Sequence, residues 1–285
     1  MRWLSFYHGG KVRPGVLLQE SNGIIDLCEE EEDWPCSWKK ILEENLLSDI
    51  SERYHRKMWK SGPIPLNKLR LAPPVPSPSK VIAIGLNYRD HAEEQKKEAP
   101  MRPLLFAKAP SCLIGQGEPI RLPAGESKPD VEAEMAFILQ KRACQVRPEK
   151  AYEYIAGITV MNDVSGREAQ YGDRQWFRGK SFDTFGPIGP WVVTLDEIGD
   201  PQRLALRCFV NGECRQDGNT SDMIFGIREL LSYISHQMTL MPGDVVSTGT
   251  PAGVGVFRDP PLFIEAGDRI EIELEGVGKL MNTVE

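Results

Sequence analysis

Short apolar segments bounded by turn-forming residues recur along most of the chain. Apolar runs of this length, flanked by Gly, Pro, Asn and Asp, are typical of buried β-strands. We therefore predict strands at residues 81–86, 135–139, 154–163, 191–195, 204–212, 244–249 and 268–276. Two more are predicted near the amino terminus, at 3–7 and 16–18.

Helical periodicity is confined to a few places. One helix is predicted to open near Tyr88, a second near 148–154, and a polar stretch at 38–47 indicates a third. The clearest spans 221–237, where apolar residues recur at helical spacing and Asp222 is a candidate cap. Strands do not alternate with long helices, which argues against a doubly wound parallel sheet. The expected fold is mainly β (α+β), a mixed β-sandwich or roll.

A proline-rich stretch divides the chain. Residues 71–80 contain four prolines, which support neither a regular helix nor a central strand. We predict a small N-terminal domain at 1–70, a linker at 71–80 and the main domain at 81–285. The acidic run at 29–33 is expected to be a solvated loop.

Composition narrows the class of protein. The 285 residues carry a formal charge of -7 and no sustained Lys/Arg block, which argues against a nucleic-acid partner. No apolar run approaches a membrane span, and the first residues lack a secretory signal. The six cysteines show no metal-finger spacing, so we expect free thiols in a reducing compartment. The prediction is a soluble intracellular protein, located in the cytoplasm.

Carboxylates interrupt the apolar pattern at two points. Glu132 and Glu134 are two residues apart, so in a strand both would point to the same face, and Asp163 ends the strand predicted at 154–163. Buried carboxylates repel each other unless a cation compensates them, and oxygen ligands suit Mg²⁺ or Mn²⁺. The alternative is that the two glutamates lie on the solvent face of an edge strand and that Asp163 only forms a turn.

A second group of residues could move protons. If a helix opens near Tyr88, His91 and Glu94 lie at i and i+3, and the carboxylate could orient the imidazole as a general base. The alternative is a charged surface helix with an incidental histidine.

Two loops could contact a ligand. Arg167, Gln170 and Lys180 follow the putative metal strand closely and could neutralise a substrate carboxylate or enolate, or could form only a surface loop. The glycine-rich loop that contains Thr250 lacks both the P-loop ending and the dinucleotide spacing. It is better suited to bringing backbone and the Thr250 hydroxyl to a small ligand.

Together these clusters resemble one family. From about residue 80 onward the chain is similar to the fumarylacetoacetate hydrolase (FAH) superfamily, and most similar to its bacterial acylpyruvase and 2-hydroxyhepta-2,4-diene-1,7-dioate isomerase branch. The matching stretches are GLNYRDHAEE, PLLFAKAPS, PDVEAEMAFIL, GITVMNDVSGREAQ, RGKSFDTFGPIGPW, QDGNTSDMIF and LMPGDVVSTGTPAGVG. The first 70 residues resemble the short N-terminal domain that many members carry.

The resemblance implies a role for each candidate residue. Glu132, Glu134 and Asp163 would bind Mg²⁺ or Mn²⁺, and His91 with Glu94 would activate water on a segment that closes over substrate. Substrate would contact the residues Lys180, Gln170, Arg167 and Thr250. The implied fold is the FAH-type mixed β-sandwich roll, usually as a homodimer.

One position departs from the eukaryotic fumarylacetoacetases. These place a further metal-binding aspartate seven residues before the dyad histidine, and here that position is Ile84. A three-carboxylate site is therefore expected, and fumarylacetoacetate itself is disfavoured as substrate.

Several activities fit such a site. The leading expectation is hydrolysis of a carbon–carbon bond in a β-diketo acid such as an acylpyruvate, through an enolate stabilised by the metal and Lys180. The alternatives are tautomerisation of a 2-hydroxydienoate, and decarboxylation or enol–keto exchange of oxaloacetate, at the same site. More distant readings are a metal-binding scaffold without catalysis and a nucleotide-binding module.

Overall fold

The computed structural model describes all 285 residues, and it contains 18 strands and seven helices. The strands are β1 (Arg2–His8), β2 (Lys11–Leu18), β3 (Gly23–Asp26), β4 (Ile64–Pro65), β5 (Leu71–Ala72), β6 (Val81–Gly85), β7 (Leu104–Lys108), β8 (Leu113–Ile114), β9 (Pro129–Asp130), β10 (Ala133–Leu139), β11 (Ile155–Asn162), β12 (Ser165–Gly166), β13 (Gly186–Val193), β14 (Ala205–Val210), β15 (Glu213–Asn219), β16 (Val245–Ser247), β17 (Arg269–Leu274) and β18 (Gly278–Thr283). The helices are α1 (Trp38–Glu43), α2 (Leu47–Arg56), α3 (Arg89–Glu94), α4 (Arg167–Gly172), α5 (Phe177–Lys180), α6 (Leu195–Ile198) and α7 (Ile227–Gln237).

One large, mostly antiparallel sheet organises the chain. Its strand order is β4-β3-β2-β1-β13-β11-β10-β16-β6-β7, with β5 beside β1 and β8 beside β13. The central strands β10 and β11 are buried along their whole length, because their apolar residues face packed layers on both sides. The parallel pairing of β16 with β6 joins residues 245–247 to 81–83, which are far apart in sequence.

A second sheet of four strands, in the order β15-β14-β17-β18, packs against the large sheet. A continuous cluster of 38 buried apolar residues lies mainly between the two and includes Phe137, Ile158, Leu206 and Ile272. The predicted mainly β fold of the mixed sandwich-roll type is therefore confirmed. None of the helices has the length and apolar character needed to cross a membrane.

The N-terminal segment shares the large sheet with the rest of the chain. Strand β1 pairs with β13 through Arg2 and Val193, and with β5 through Phe6 and Leu71. Trp38 of α1 lies in a separate apolar cluster that covers this part of the sheet. The domain division at 71–80 stays a prediction.

Three expectations from the sequence are wrong. Glu30 of the acidic run at 29–33 is buried rather than solvated, because its carboxylate accepts from the backbone N–H groups of Lys60 and Ser61. Helix α7 begins at Ile227 and not near residue 221, because Thr220–Asp222 form a separate short 3₁₀ helix and Asn87 accepts a hydrogen bond from the Phe225 backbone N–H between the two. Cys28 and Cys36 form a disulfide and are not free thiols, because the acidic segment between them folds back and brings their Cα atoms to 5.2 Å. The other four cysteines are free.

Candidate active site

The three candidate metal ligands meet where β10 and β11 lie side by side. Ala133 is paired with Asn162, so Glu132 and Asp163 flank this pair at the same end of the sheet. The Asp163 backbone N–H donates to the Glu132 carbonyl at 2.9 Å, which fixes the two residues next to each other. Glu134 follows on the same face, and one carboxylate oxygen from each of the three residues lies within 4.8 Å of the others. All three residues are buried.

Buried cations surround this carboxylate cluster. The Lys180 ammonium donates to Glu132 and to Asp163, at 2.6 Å each. The Lys108 ammonium donates to the other oxygen of Asp163 at 2.6 Å, and Arg167 lies 2.8 Å from Glu132. Because these charges are withdrawn from water, each depends on its partners for stabilisation.

The negative charges of Glu132 and Glu134 are compensated by neighbouring cations to different extents. Burial alone would raise the pKa of Glu132, but Lys180 and Arg167 outweigh it and hold the pKa at about 2. Burial, reinforced by the negative charges of Asp163 and Glu132, raises the pKa of Glu134 to about 8. Glu134 has no cation at hydrogen-bond distance and accepts only from the Ser247 hydroxyl and the Gly249 backbone N–H.

These residues fit a divalent metal ion. Three buried carboxylates offer the hard oxygen ligands that Mg²⁺ and Mn²⁺ prefer. Glu134 is a carboxylate crowded by like charges and without a cationic partner, and a bound cation would remove that penalty. The structure therefore contains a carboxylate triad able to bind a divalent cation, and the roles of its members stay predictions.

The predicted dyad is formed on helix α3. His91 Nδ1 lies 2.9 Å from Glu94 Oε2, and the other oxygen of Glu94 accepts the Gly253 backbone N–H at 2.9 Å. Asp90 on the same helix accepts the Ala252 N–H at 3.1 Å. The glycine-rich loop after β16 thus holds the helix that carries the dyad.

The loop requires glycine at residue 253. Gly253 has a φ of +104°, and a Cβ there would lie 2.2 Å from the Arg215 carbonyl oxygen.

A cavity of about 210 Å³ opens over the cluster. This volume is below that of pockets for drug-sized ligands, so it suits a small molecule. Seven of the nine residues proposed from the sequence line it, and they are His91, Glu132, Glu134, Arg167, Gln170, Lys180 and Thr250. Glu94 and Asp163 lie behind this wall and contact it through His91 and Lys180. Ile84 also lines the cavity, so an apolar side chain occupies the position where a fourth carboxylate was considered.

The substrate-binding candidates are held by partners of their own. Arg167 donates from Nε and Nη2 to the same Asp130 oxygen, Oδ2, and from Nη1 to the Gln170 side-chain oxygen at 2.9 Å. The Thr250 hydroxyl accepts from Gln216 Nε2 at 2.7 Å. All three side chains are therefore oriented in the ligand-free protein.

Reasoning from the sequence missed three residues of this site. Lys108 is the only ionisable residue of the strand LLFAK, a pattern that is visible in the sequence. The structure shows that this lysine is fully buried. Asp130 orients Arg167, and Gln95 contacts His91 Nε2 at 2.8 Å. A larger groove of about 750 Å³ on the four-stranded sheet has charged side chains that pair at the surface, such as Lys279 with Glu271, and contains no comparable buried cluster.

Comparison with known proteins agrees with this geometry. Residues 80–285 match the family model described as fumarylacetoacetate (FAA) hydrolase C-terminal. The chain is 43% identical over 288 residues to a protein of Rattus norvegicus named oxaloacetate tautomerase Fahd2a, mitochondrial, and covers 91% of it.

Two solved structures with a fold similar to that of this chain are named as enzymes of different classes. A 5-carboxymethyl-2-hydroxymuconate delta-isomerase from Mycobacterium smegmatis is 36% identical with a TM-score of 0.79, and all of this chain aligns with 98% of that one. A maleylpyruvate hydrolase from Sphingobium is 31% identical with a TM-score of 0.80, over all of this chain and 99% of that one. From the family match over most of its length and this full-length similarity, the chain belongs to the fumarylacetoacetate hydrolase family.

Proposed function

We propose that the protein catalyses keto–enol tautomerisation of a small 2-oxo acid, with oxaloacetate as the leading candidate. The observation that carries this proposal is the lysine of the cavity: the Lys180 ammonium lies 2.6 Å from two of three carboxylates that could bind a metal. A proton-carrying group thus lies beside the place where a 2-oxo group would be polarised. The full-length relative named an oxaloacetate tautomerase supports the same reading.

Charge in the cluster favours an anionic substrate. With Glu134 ionised, as it would be when it binds a metal ion, four buried carboxylates (Asp130, Glu132, Glu134 and Asp163) face three buried cations (Lys108, Arg167 and Lys180), which leaves one negative charge. A divalent cation would reverse this to one positive charge, which a substrate carboxylate would neutralise. Bound at the triad, Mg²⁺ or Mn²⁺ would supply Lewis-acid polarisation of the carbonyl.

Residues of the chain would carry out proton transfer, enolate stabilisation and substrate orientation. In conversion of enol to ketone the hydroxyl proton leaves and another proton is added at carbon 3, so no atom is gained or lost. Glu94 accepts from His91 Nδ1–H, which leaves Nε2 with the lone pair that can take or return a proton. Lys180, whose pKa is raised by Asp163 and Glu132 against the opposing effect of burial, stays protonated and stabilises the enolate charge. Arg167 and Gln170 would orient the substrate carboxylate.

Carbon–carbon hydrolysis is the second candidate. It is favoured by the His91–Glu94 hydrogen bond, because such a dyad can also activate water for attack on a carbonyl. Decarboxylation of oxaloacetate would use the same enolate.

We also propose that the protein forms a homodimer and that it is located in the cytoplasm.

The deciding experiment gives metal-loaded protein either oxaloacetate or acetylpyruvate. It measures loss of enol absorbance, release of carbon dioxide, and release of pyruvate and acetate. Loss of enol-oxaloacetate absorbance without carbon dioxide release would support tautomerisation, while release of pyruvate and acetate from acetylpyruvate would support hydrolysis. An EDTA-treated sample is the control for metal dependence. Binding of Mn²⁺ without turnover of either substrate would instead indicate a scaffold.

The role of His91 can be separated from metal binding. We expect His91→Ala to lower the tautomerisation rate by about 10²–10⁴-fold, the usual contribution of a general acid–base group, with little change in Mn²⁺ affinity. His236→Ala is the matched control, since His236 lies on the exposed side of α7. Equal loss of activity and of metal affinity would refute the division of roles.

A further inference from the structure

The side chain of Gln95 forms a hydrogen bond with Nε2 of His91, the nitrogen that would transfer protons in the proposed reaction. Gln95 Nε2 lies 2.8 Å from His91 Nε2, and Gln95 Oε1 accepts from the Lys97 ammonium at 2.9 Å. An ammonium can only donate, so the oxygen end of the amide must face Lys97 and its N–H must face the imidazole. With Glu94 on Nδ1, both ring nitrogens are engaged.

This contact blocks the proposed base. The unprotonated nitrogen of an imidazole has one lone pair, and it can accept from one donor at a time. While the Gln95 amide donates to it, His91 can take a proton neither from a substrate nor from water. The amide must therefore move before His91 can act.

Lys97 is placed to control that movement. It lines the cavity together with His91 and Gln95, and its ammonium pairs with no carboxylate of the chain. Gln95 is the residue that ends helix α3, and the chain from Lys96 to the start of β7 runs outside regular structure. A cation without a carboxylate partner, on a segment free of sheet hydrogen bonds, is suited to bind an incoming anion.

We propose that Gln95 and Lys97 form a latch over His91 that opens when the far carboxylate of a dicarboxylic 2-oxo acid binds Lys97. A carboxylate brings a full opposite charge to the ammonium, which a neutral amide oxygen does not, so the substrate would displace Gln95 from Lys97. The amide then loses the contact that fixes its orientation, and His91 Nε2 is released. The latch rests on the proposed function, and it adds Lys97 as the residue that would bind the second carboxylate of the substrate.

The first test reads His91 directly and needs no turnover. In metal-loaded protein with ¹⁵N-labelled histidine, we expect succinate to shift the His91 Nε2 resonance and butyrate, its one-carboxylate counterpart, not to. Lys97→Met should abolish the response. Lys96→Met is the matched control, because Lys96 is a neighbouring exposed lysine outside the cavity, and it should keep the response. Equal responses to the two acids, or an intact response in Lys97→Met, would overturn the latch.

The second test uses the reaction. Oxaloacetate and 2-oxobutanoate differ in that a methyl group replaces the far carboxylate, and deuterium exchange at carbon 3 measures both. Loss of one charge-assisted hydrogen bond corresponds to about a tenfold loss or more, so Lys97→Met should lower kcat/KM by this factor for oxaloacetate. For 2-oxobutanoate the same variant should raise exchange, because Gln95 loses the contact that holds it on His91. Gln95→Ala should raise exchange of 2-oxobutanoate, because the base is then free without a second carboxylate. Equal effects on both substrates would contradict the proposal.

The two tests separate the latch from the function. A succinate response in the wild type without exchange of either substrate would refute tautomerisation and leave the latch standing. Exchange of oxaloacetate that Lys97→Met does not alter would refute the latch and leave the function standing.

Discussion

Removal of the Lys108 ammonium should make the stability of the protein depend on metal. Lys108 is 1% exposed, and its Nζ donates to Asp163 at 2.6 Å and to the Lys180 carbonyl. Lys108→Met keeps most of the side-chain volume but leaves four buried carboxylates facing two cations. In the absence of metal, Asp163 then has only Lys180 as a cationic partner.

The size of the effect follows from the contact. Two unit charges 2.6 Å apart attract by about 6 kcal/mol at an effective dielectric constant of about 20. Desolvation of the ammonium offsets part of this attraction, and breaking a buried ion pair typically costs about 3–5 kcal/mol. We expect a loss of that order in the free energy of unfolding, measured by urea denaturation in EDTA.

Saturating Mg²⁺ should restore more stability to this variant than it adds to the wild type, because the cation compensates the charge that Lys108 no longer supplies. Lys279→Met is the control: Lys279 forms an exposed pair with Glu271, and its loss should change little in either condition. If Lys108→Met unfolds like the control, or gains no more than the wild type from Mg²⁺, the account of charge balance in the cluster is wrong.

Three further predictions concern other parts of the structure. The folded protein holds a proton on Glu134 up to a pKa of about 8, while the unfolded chain releases it near 4.5. The free energy of unfolding of the wild type, measured by urea denaturation in EDTA, should therefore fall relative to that of Glu134→Gln as the pH rises from 4.5 to about 8. Equal pH dependence of the two proteins would disprove this. Gly253→Ala should cost about 1–3 kcal/mol of stability by urea denaturation and lower activity, because the new methyl group meets the Arg215 carbonyl; unchanged values would mean that the loop tolerates a side chain. Thiol titration of the native protein should modify Cys144 and Cys214 quickly and the two buried thiols only after unfolding, and rapid modification of all four would contradict their burial.

Local patterns were enough to locate the carboxylates. Glu132 and Glu134 precede and interrupt a fully apolar strand, and Asp163 ends the next one, so strand alternation and position alone identified the triad. The dyad was also local, because His91 and Glu94 are three residues apart on one short helix.

Contacts between distant residues were not visible in the sequence. Lys108 reaches Asp163 across 55 positions, and the Gly253 backbone reaches Glu94 across 159. Neither pair has a periodicity or a spacing that connects its members, so only the folded chain identifies them.

The polar edge strands were missed for a different reason. Strands β15 and β18 lie at the two edges of the four-stranded sheet, and β15 has the polar sequence ECRQDGN. Edge strands bury little apolar surface, so the hydrophobic pattern that marks central strands is absent from β15.

The way the loop after β16 supports helix α3 has a consequence for biosynthesis. The carboxylate triad lies within one neighbouring strand pair, so a growing chain can assemble these ligands once β11 has been made. The dyad gains its support from Ala252 and Gly253, which are translated more than 150 positions after His91. Ribosomes therefore complete the groups that could bind metal well before those that hold the base, and any chain that ends short of residue 253 lacks the backbone amides that orient Glu94.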